Sequence, residues 1–116
     1  MKILVCGDRN WIQRMPIRYA LYGMPKGTII INGACRGADK TSSVVARHLG
    51  FECREYPADW EKHGRAAGPI RNREMLDKES PDLVIAFHSN IFHSKGTRDM
   101  CRCARDAGIP VILITG

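Results

Sequence analysis

Four short segments carry residue types suited to holding an anion. Gly7-Asp8-Arg9-Asn10 joins a glycine, which lets the backbone turn tightly, to an arginine and two potential helix-capping side chains. One expectation is that a ligand approaches Gly7 while Arg9 faces its phosphate; the plainer one is a helix cap by Asp8 or Asn10. Asn32-Gly33-Ala34-Cys35-Arg36-Gly37-Ala38-Asp39 places two glycines four residues apart. At a strand-to-helix turn such a pair exposes backbone N–H groups at the positive end of a helix dipole, which cradles an anion. Arg36 and Asp39 share that turn, so Gly33, Arg36, Gly37 and Asp39 are candidate ligand-binding residues. The pattern is neither a dinucleotide fingerprint nor a Walker loop, because the closing Gly-Lys-Ser/Thr is missing. No cofactor is expected.

The third segment is Pro69-Ile70-Arg71-Asn72-Arg73, after a polar stretch, 57–68, that reads as a functional loop. Pro69 suits the first turn of a helix, which puts Arg71, Asn72 and Arg73 in its N-terminal turn. Two arginines there oppose the helix dipole, and residues set against local preference are expected chiefly at functional sites. The alternative is that they pair with Asp59 or Glu61. In the fourth segment, Ser94-Lys95-Gly96-Thr97 opens a helix and forms a second anion site from backbone amides and the Ser94 and Thr97 hydroxyls. A simple threonine cap is the alternative. His88 and His93 flank this loop and are expected to be solvated.

Metal chemistry is not expected. The five cysteines, Cys6, Cys35, Cys53, Cys101 and Cys103, show neither zinc-ligand spacing nor a disulfide framework. Cys6 and Cys53 lie in apolar stretches and read as buried, reduced thiols.

The elements that position these segments alternate along the chain. Apolar, β-branched runs at Ile3–Cys6, Thr28–Ile31, Leu83–Phe87 and Val111–Ile114, with a weaker one at Phe51–Tyr56, read as strands. Helix-length stretches lie between them at Trp11–Tyr22, Ala38–Leu49, Pro69–Lys78 and Thr97–Ala107. Continuous Val/Ile/Leu runs indicate strands covered on both faces. The predicted fold is α/β: a Rossmann-like doubly wound sheet, mainly parallel, of about five strands with helices on both faces. Gly50 and Gly108 fall where left-handed helix ends are expected. Ligands of such sheets bind beyond the carboxyl ends of the strands, where all four segments fall.

A length of 116 residues suits one domain over 1–116, and 44% apolar with 26% charged residues is ordinary globular composition. A net charge of +6 favours polyanionic or phosphate-bearing partners. No apolar run approaches the ~20 residues of a membrane span, so no membrane partner is expected. The first residues run into a strand and are too short for a signal peptide, so the expected location is cytoplasmic.

Four stretches together resemble the SLOG superfamily: Gly33 to Asp39; Tyr56-Pro57-Ala58-Asp59-Trp60; Gly64 to Met75; and Lys95-Gly96-Thr97. The likeness spans nearly the whole chain, and it is strongest to the YspA-type single-domain proteins. The superfamily also contains the Lonely guy phosphoribohydrolases and the DNA-processing protein A core. The resemblance implies a site for nucleotides or nucleotide-derived ligands, with phosphate at the helix start around Gly96 and Thr97. Its enzymes cleave N-glycosidic bonds of nucleoside monophosphates and carry Pro-Gly-Gly-x-Gly-Thr-x-x-Glu. Here Gly96-Thr97 is kept, but Met100 stands at the glutamate position. Asp99, about 100° around the helix, is the nearest substitute.

Three readings follow. The first is a nucleotide-binding or sensing protein without strong catalysis. The second is an N-glycosidase or phosphoribohydrolase-like hydrolase using Asp99, Asp39 or Asp59. The third is a single-stranded nucleic-acid binder, with Trp11, Trp60 and Tyr56 as stacking candidates. Homo-oligomerisation is compatible with all three.

Overall fold

A computed structural model describes residues 1–115. Five strands, β1 (Lys2–Gly7), β2 (Ile29–Asn32), β3 (Glu52–Glu55), β4 (Leu83–Phe87) and β5 (Val111–Ile114), form one sheet in the order β3-β2-β1-β4-β5. Every pairing is parallel. The sheet is thus wholly parallel, a Rossmann-like doubly wound arrangement.

Strand alternation explains the two cores. Ile3 and Val5 of β1 point to one face, where they join Ile17 and Leu21 of α1 (Arg14–Tyr22) and Val45 of α2 (Ala38–His48). Leu4 and Cys6 point to the other, against Met75 of α4 (Ala67–Glu79) and Met100 and Ala104 of α5 (Lys95–Asp106). Because β1 is covered on both faces, nearly every residue of it is apolar. β5 lies at an edge and its Ile112 remains 48% exposed, so its apolar run overstates its burial.

Helix starts differ from expectation at α1, α4 and α5, the last beginning at Lys95, two residues before Thr97, and an unexpected helical turn precedes α4. Trp11 does not begin α1; its N–H donates to Asp8 O, its indole Nε1 to Gln13 O at 2.6 Å, and its ring packs edge-on against Phe87. The stretch 57–68 is not all loop. Asp59 accepts from Lys62 N and caps a single-turn helix, α3 (Trp60–His63), followed by a 3₁₀ turn, Gly64–Ala66. α4 starts at Ala67, so Pro69 is its third residue and Arg71 and Arg73 lie in its second turn. The predicted conflict with the helix dipole is correspondingly weaker, since that effect fades beyond the first turn. Gly50 and Gly108 do adopt positive φ, at 81° and 76°, just past their helices.

Among the described residues no helix is long and apolar enough to cross a membrane. All five cysteines are free, Cys6 buried and Cys53 half-buried.

Candidate functional site

In the strand order 3-2-1-4-5, the chain leaves β1 towards one side of the sheet and β4 towards the other, which opens a crevice above their carboxyl ends. The loops after β1, β2 and β4 and the start of α4 meet there.

The loop after β1 ties these elements together. Asp8 N donates to Phe87 O at the end of β4, and Asp8 O accepts from both Trp11 N and Ala38 N. Asp8 Oδ1 accepts from Asn10 N instead of capping α1. Gly37 has φ of 81°, and a Cβ there would lie 2.3 Å from Asp8 O. A Cβ on Gly7 would lie 2.2 Å from Phe87 O. Both glycines are therefore required by the protein's own packing.

Asp39 fills the turn after β2. Its Oδ2 accepts from Gly33 N at 3.0 Å and Cys35 N at 3.2 Å, and Ala34 N donates to Asn32 Oδ1. The backbone cradle expected to take a ligand anion is thus largely occupied by the chain's own groups. Burial pushes the Asp39 carboxyl up to about 6, against the opposing pull of Cys35 N–H, Arg71, Gly33 N–H and Arg9. Asn32 completes the turn by donating to Ser42 and Ser43 of α2.

Arg71 is buried and crosses over Gly33. Its Nη1 donates to Gly33 O at 2.7 Å and to Tyr56 O, and its Nε donates to Asn72 Oδ1. A Cβ on Gly33 would lie 2.3 Å from Arg71 Nη1, so this glycine admits a guanidinium. Neither Arg71 nor Arg73 pairs with Asp59 or Glu61; Arg73 turns outward to Pro69 O.

At the start of α5, Ser94 and not Thr97 is the cap, accepting from Thr97 N at 3.3 Å. Asn72 Nδ2 donates to Gly96 O and to Asp99 Oδ2, locking α4 to α5. Gly96 differs from the other three glycines in its surroundings. An added Cβ would meet nothing within 4 Å, and its φ, like that of Gly33, is not positive.

These residues enclose one cleft of about 420 Å³, counted to its open mouth. Gly7, Arg9, Gly33 and Asp39 form one wall; Arg71, Asn72, Gly96 and Thr97 form the other. Gly33 and Gly96 therefore face a single space. Cys6, Cys35, Met75 and Met100 also line it; Cys35 falls in one of the four loop segments, Met75 ends a stretch that carries the family resemblance, and Met100 stands at the glutamate position. A wider groove of about 970 Å³ adjoins, sharing Arg9, Gly33 and Cys35 and adding Arg36, Pro57 and Trp60. Arg9 lies 5.8 Å from the centre of the Trp60 ring.

Several expected residues lie elsewhere. Arg36 faces the wider groove, where it donates to Asn10; Gly37 and Ser94 support the backbone outside the cleft lining. Asp99 does not line the cleft, because α5 turns its carboxylate to Asn72 and Arg102. Met100 lines it in its place. His88 is buried and accepts from Asn90 N, contrary to the expected solvation. Among the described residues no cluster of His, Cys, Asp or Glu is arranged to hold a metal.

A family model described as "YspA, cpYpsA-related SLOG family" matches residues 1–63, which contain β1 to β3 and the Asp39 turn. The chain belongs to that SLOG family. It is similar over nearly its whole length to the Gene 61 protein of Mycobacterium phage D29, with 38% identity over 120 residues, 96% of this chain and 94% of the phage protein. Membership is consistent with a nucleotide-related binding or processing role for this SLOG chain.

Proposed function

We propose that this SLOG-family protein binds a nucleotide or nucleotide-derived phosphate ligand across the carboxyl edge of its sheet, with little or no catalysis. Gly96 carries the reading. Holding a glycine in a helical turn costs more chain entropy than holding an alanine, and no strain or neighbour in the protein calls for it. A ligand phosphate approaching the Gly96 backbone and the Thr97 hydroxyl supplies the missing reason. Arg9 and Arg71 add positive charge, and the half-exposed Trp60 offers a face for a base in the adjoining groove.

The weakness of catalysis rests on the carboxylates. Met100, at the glutamate position of the family's enzymes, has neither charge nor exchangeable proton, and Asp99 faces away. A second reading, a nucleoside-monophosphate N-glycosidase, is favoured by one observation. Asp39 is a buried carboxyl in the cleft wall, raised to about 6, and such groups suit general acid–base work. In either reading residues 1–116 act as one domain, cytoplasmic, alone or as a homo-oligomer.

A thermal-shift screen of nucleoside mono-, di- and triphosphates tests the proposal. A binder at 100 times its Kd stabilises the fold by about 2.7 kcal/mol. Each hit is then incubated and assayed for free base. Stabilisation without base release is the expected result. Rapid base release abolished by Asp39→Asn establishes the enzyme, and no stabilisation by any nucleotide rejects the site.

A further inference from the structure

Four cations follow one another along the outer face of α5. Lys95, Arg98, Arg102 and Arg105 are spaced three, four and three residues apart, which aligns them on a single helical face, and all four are exposed. From first to last they cover about 15 Å of helix. They border a solvent-open groove of about 1280 Å³ whose other walls include Phe92 and Leu113. The groove shares no lining residue with the cleft above β1 and β4; α5 is the wall between them.

Three of the four charges on this face are not neutralised. Asp99 is the acid within the row, and it pairs with Arg102 at 3.1 Å. Among the described residues no carboxylate lies within ion-pairing distance of Lys95, Arg98 or Arg105. Lys95 and Arg98 also stand in the first turn of α5, at the positive end of its dipole, and that turn holds no acidic residue. Two cations there are locally unfavourable, and an anion outside the helix relieves both repulsions. Phe92 is 79% exposed at the same end and is fixed by the contact of Arg98 Nη1 with its carbonyl.

A row of cations along a groove, with an aromatic ring at one end, matches a chain of phosphates carrying bases. We infer that the α5 face binds the backbone of a single-stranded nucleic acid, with Phe92 stacking on one base. The stacking candidates named from the sequence do not serve here: Trp11 is buried, Tyr56 is tied through its hydroxyl to Glu79, and the exposed Trp60 lines the groove beside Arg9 and Arg36 instead. Phosphates supply the recognition, so DNA and RNA strands both fit.

The test is fluorescence anisotropy with labelled oligo(dT) and oligo(U), titrated with the full chain from 50 to 300 mM salt. Three to four neutralised phosphates give a log–log salt slope of about −2 to −3 on a single strand. Arg98→Glu with Arg105→Glu is expected to weaken binding at least tenfold and to flatten the slope by about 1.4. Phe92→Ala is expected to weaken it by about tenfold. The control pair, Arg14→Glu with Lys26→Glu, changes net charge equally at exposed sites away from the groove and should cost less than threefold. Melting curves accompany each variant, so that loss of binding is read only on folded protein. The inference is overturned by equal losses in the two pairs, or by failure of both oligomers to bind at 50 mM salt. It is also overturned if the groove pair dissociates a dimer while leaving oligonucleotide affinity unchanged, which would assign the face to a second copy. Mononucleotide stabilisation through the cleft should persist in the groove pair, so this inference and the proposed function fail separately.

Discussion

Four glycines at the sheet's carboxyl edge look alike in the sequence, yet their neighbours give them different roles. Gly7, Gly33 and Gly37 are each required by a protein atom that would lie within 2.4 Å of an added Cβ. Gly96 is not. Gly96→Ala should therefore raise the unfolding free energy by about 0.5–1 kcal/mol while weakening ligand binding, a combination that denaturation and calorimetric titration together would detect. Gly33→Ala should lower stability, because Arg71 must move. Asp39 offers a second residue-scale prediction. The fold favours its neutral form, so the folded state holds that proton more tightly than the unfolded chain, whose carboxyl titrates near 3.8. Stability from this group is full below that pH and falls as pH rises through about 6. Asp39→Asn lacks the step. Denaturation at pH 4 and pH 7 should show the variant gaining on the native chain by up to about 3 kcal/mol between the two. A parallel pair of curves would show that folding leaves the proton affinity of Asp39 unchanged.

At the scale of elements, a polar cluster at the far end of α4 anchors it to the sheet. Glu79 is buried, and it meets Lys2 of β1 at 3.2 Å, Arg54 of β3 at 2.8 Å and the Tyr56 hydroxyl. Burial raises its carboxyl, but the hydrogen bonds from Tyr56, Lys2 and Arg54 outweigh that and hold it below the usual range. The same contact pushes Tyr56 up to about 12. With the folded pKa depressed, Glu79 contributes stability above the unfolded value near 4.5, and this is lost as pH falls through the folded one. Glu79→Gln should cost about 2 kcal/mol at pH 7, and less below pH 4, by chemical denaturation. Since α4 also carries Arg71 and Asn72 into the cleft, the variant should weaken nucleotide binding at a distance.

For the whole molecule, position in the sheet predicts the order of opening. β1 is paired on both sides and covered by both cores, and β4 is nearly as enclosed. β3 and β5 have one free edge each, and β5 exposes Ile112 and Leu113. In native-state hydrogen exchange, the amides of β1 and β4 should exchange only on global unfolding, and those of β3 and β5 at lower free energy. Uniform protection across all five strands would point to a covering partner on the edges. The cleft lies above the carboxyl ends of β1 and β4, both interior strands of the sheet.

The elements were legible in the sequence because parallel strands buried on two faces must be continuously apolar, and the helices between them must each carry a stripe. Leu83–Phe87 and Val111–Ile114 appear as predicted. Charge and glycine spacing likewise marked the four loops at the sheet's carboxyl edge, where crossovers force them together. The division of labour within those loops was not legible. That Asp39 occupies the Gly33–Cys35 amides, that Arg71 spends its donors on Gly33 O and Tyr56 O, and that Asp99 faces the outer groove all depend on contacts between distant segments. The α5 stripe was present as four cations in the sequence. Which of its sides met the core was decided only when Met100, Cys101 and Ala104 packed under the sheet. A residue's type limits the chemistry it can do, while packing selects the partner with which it does it.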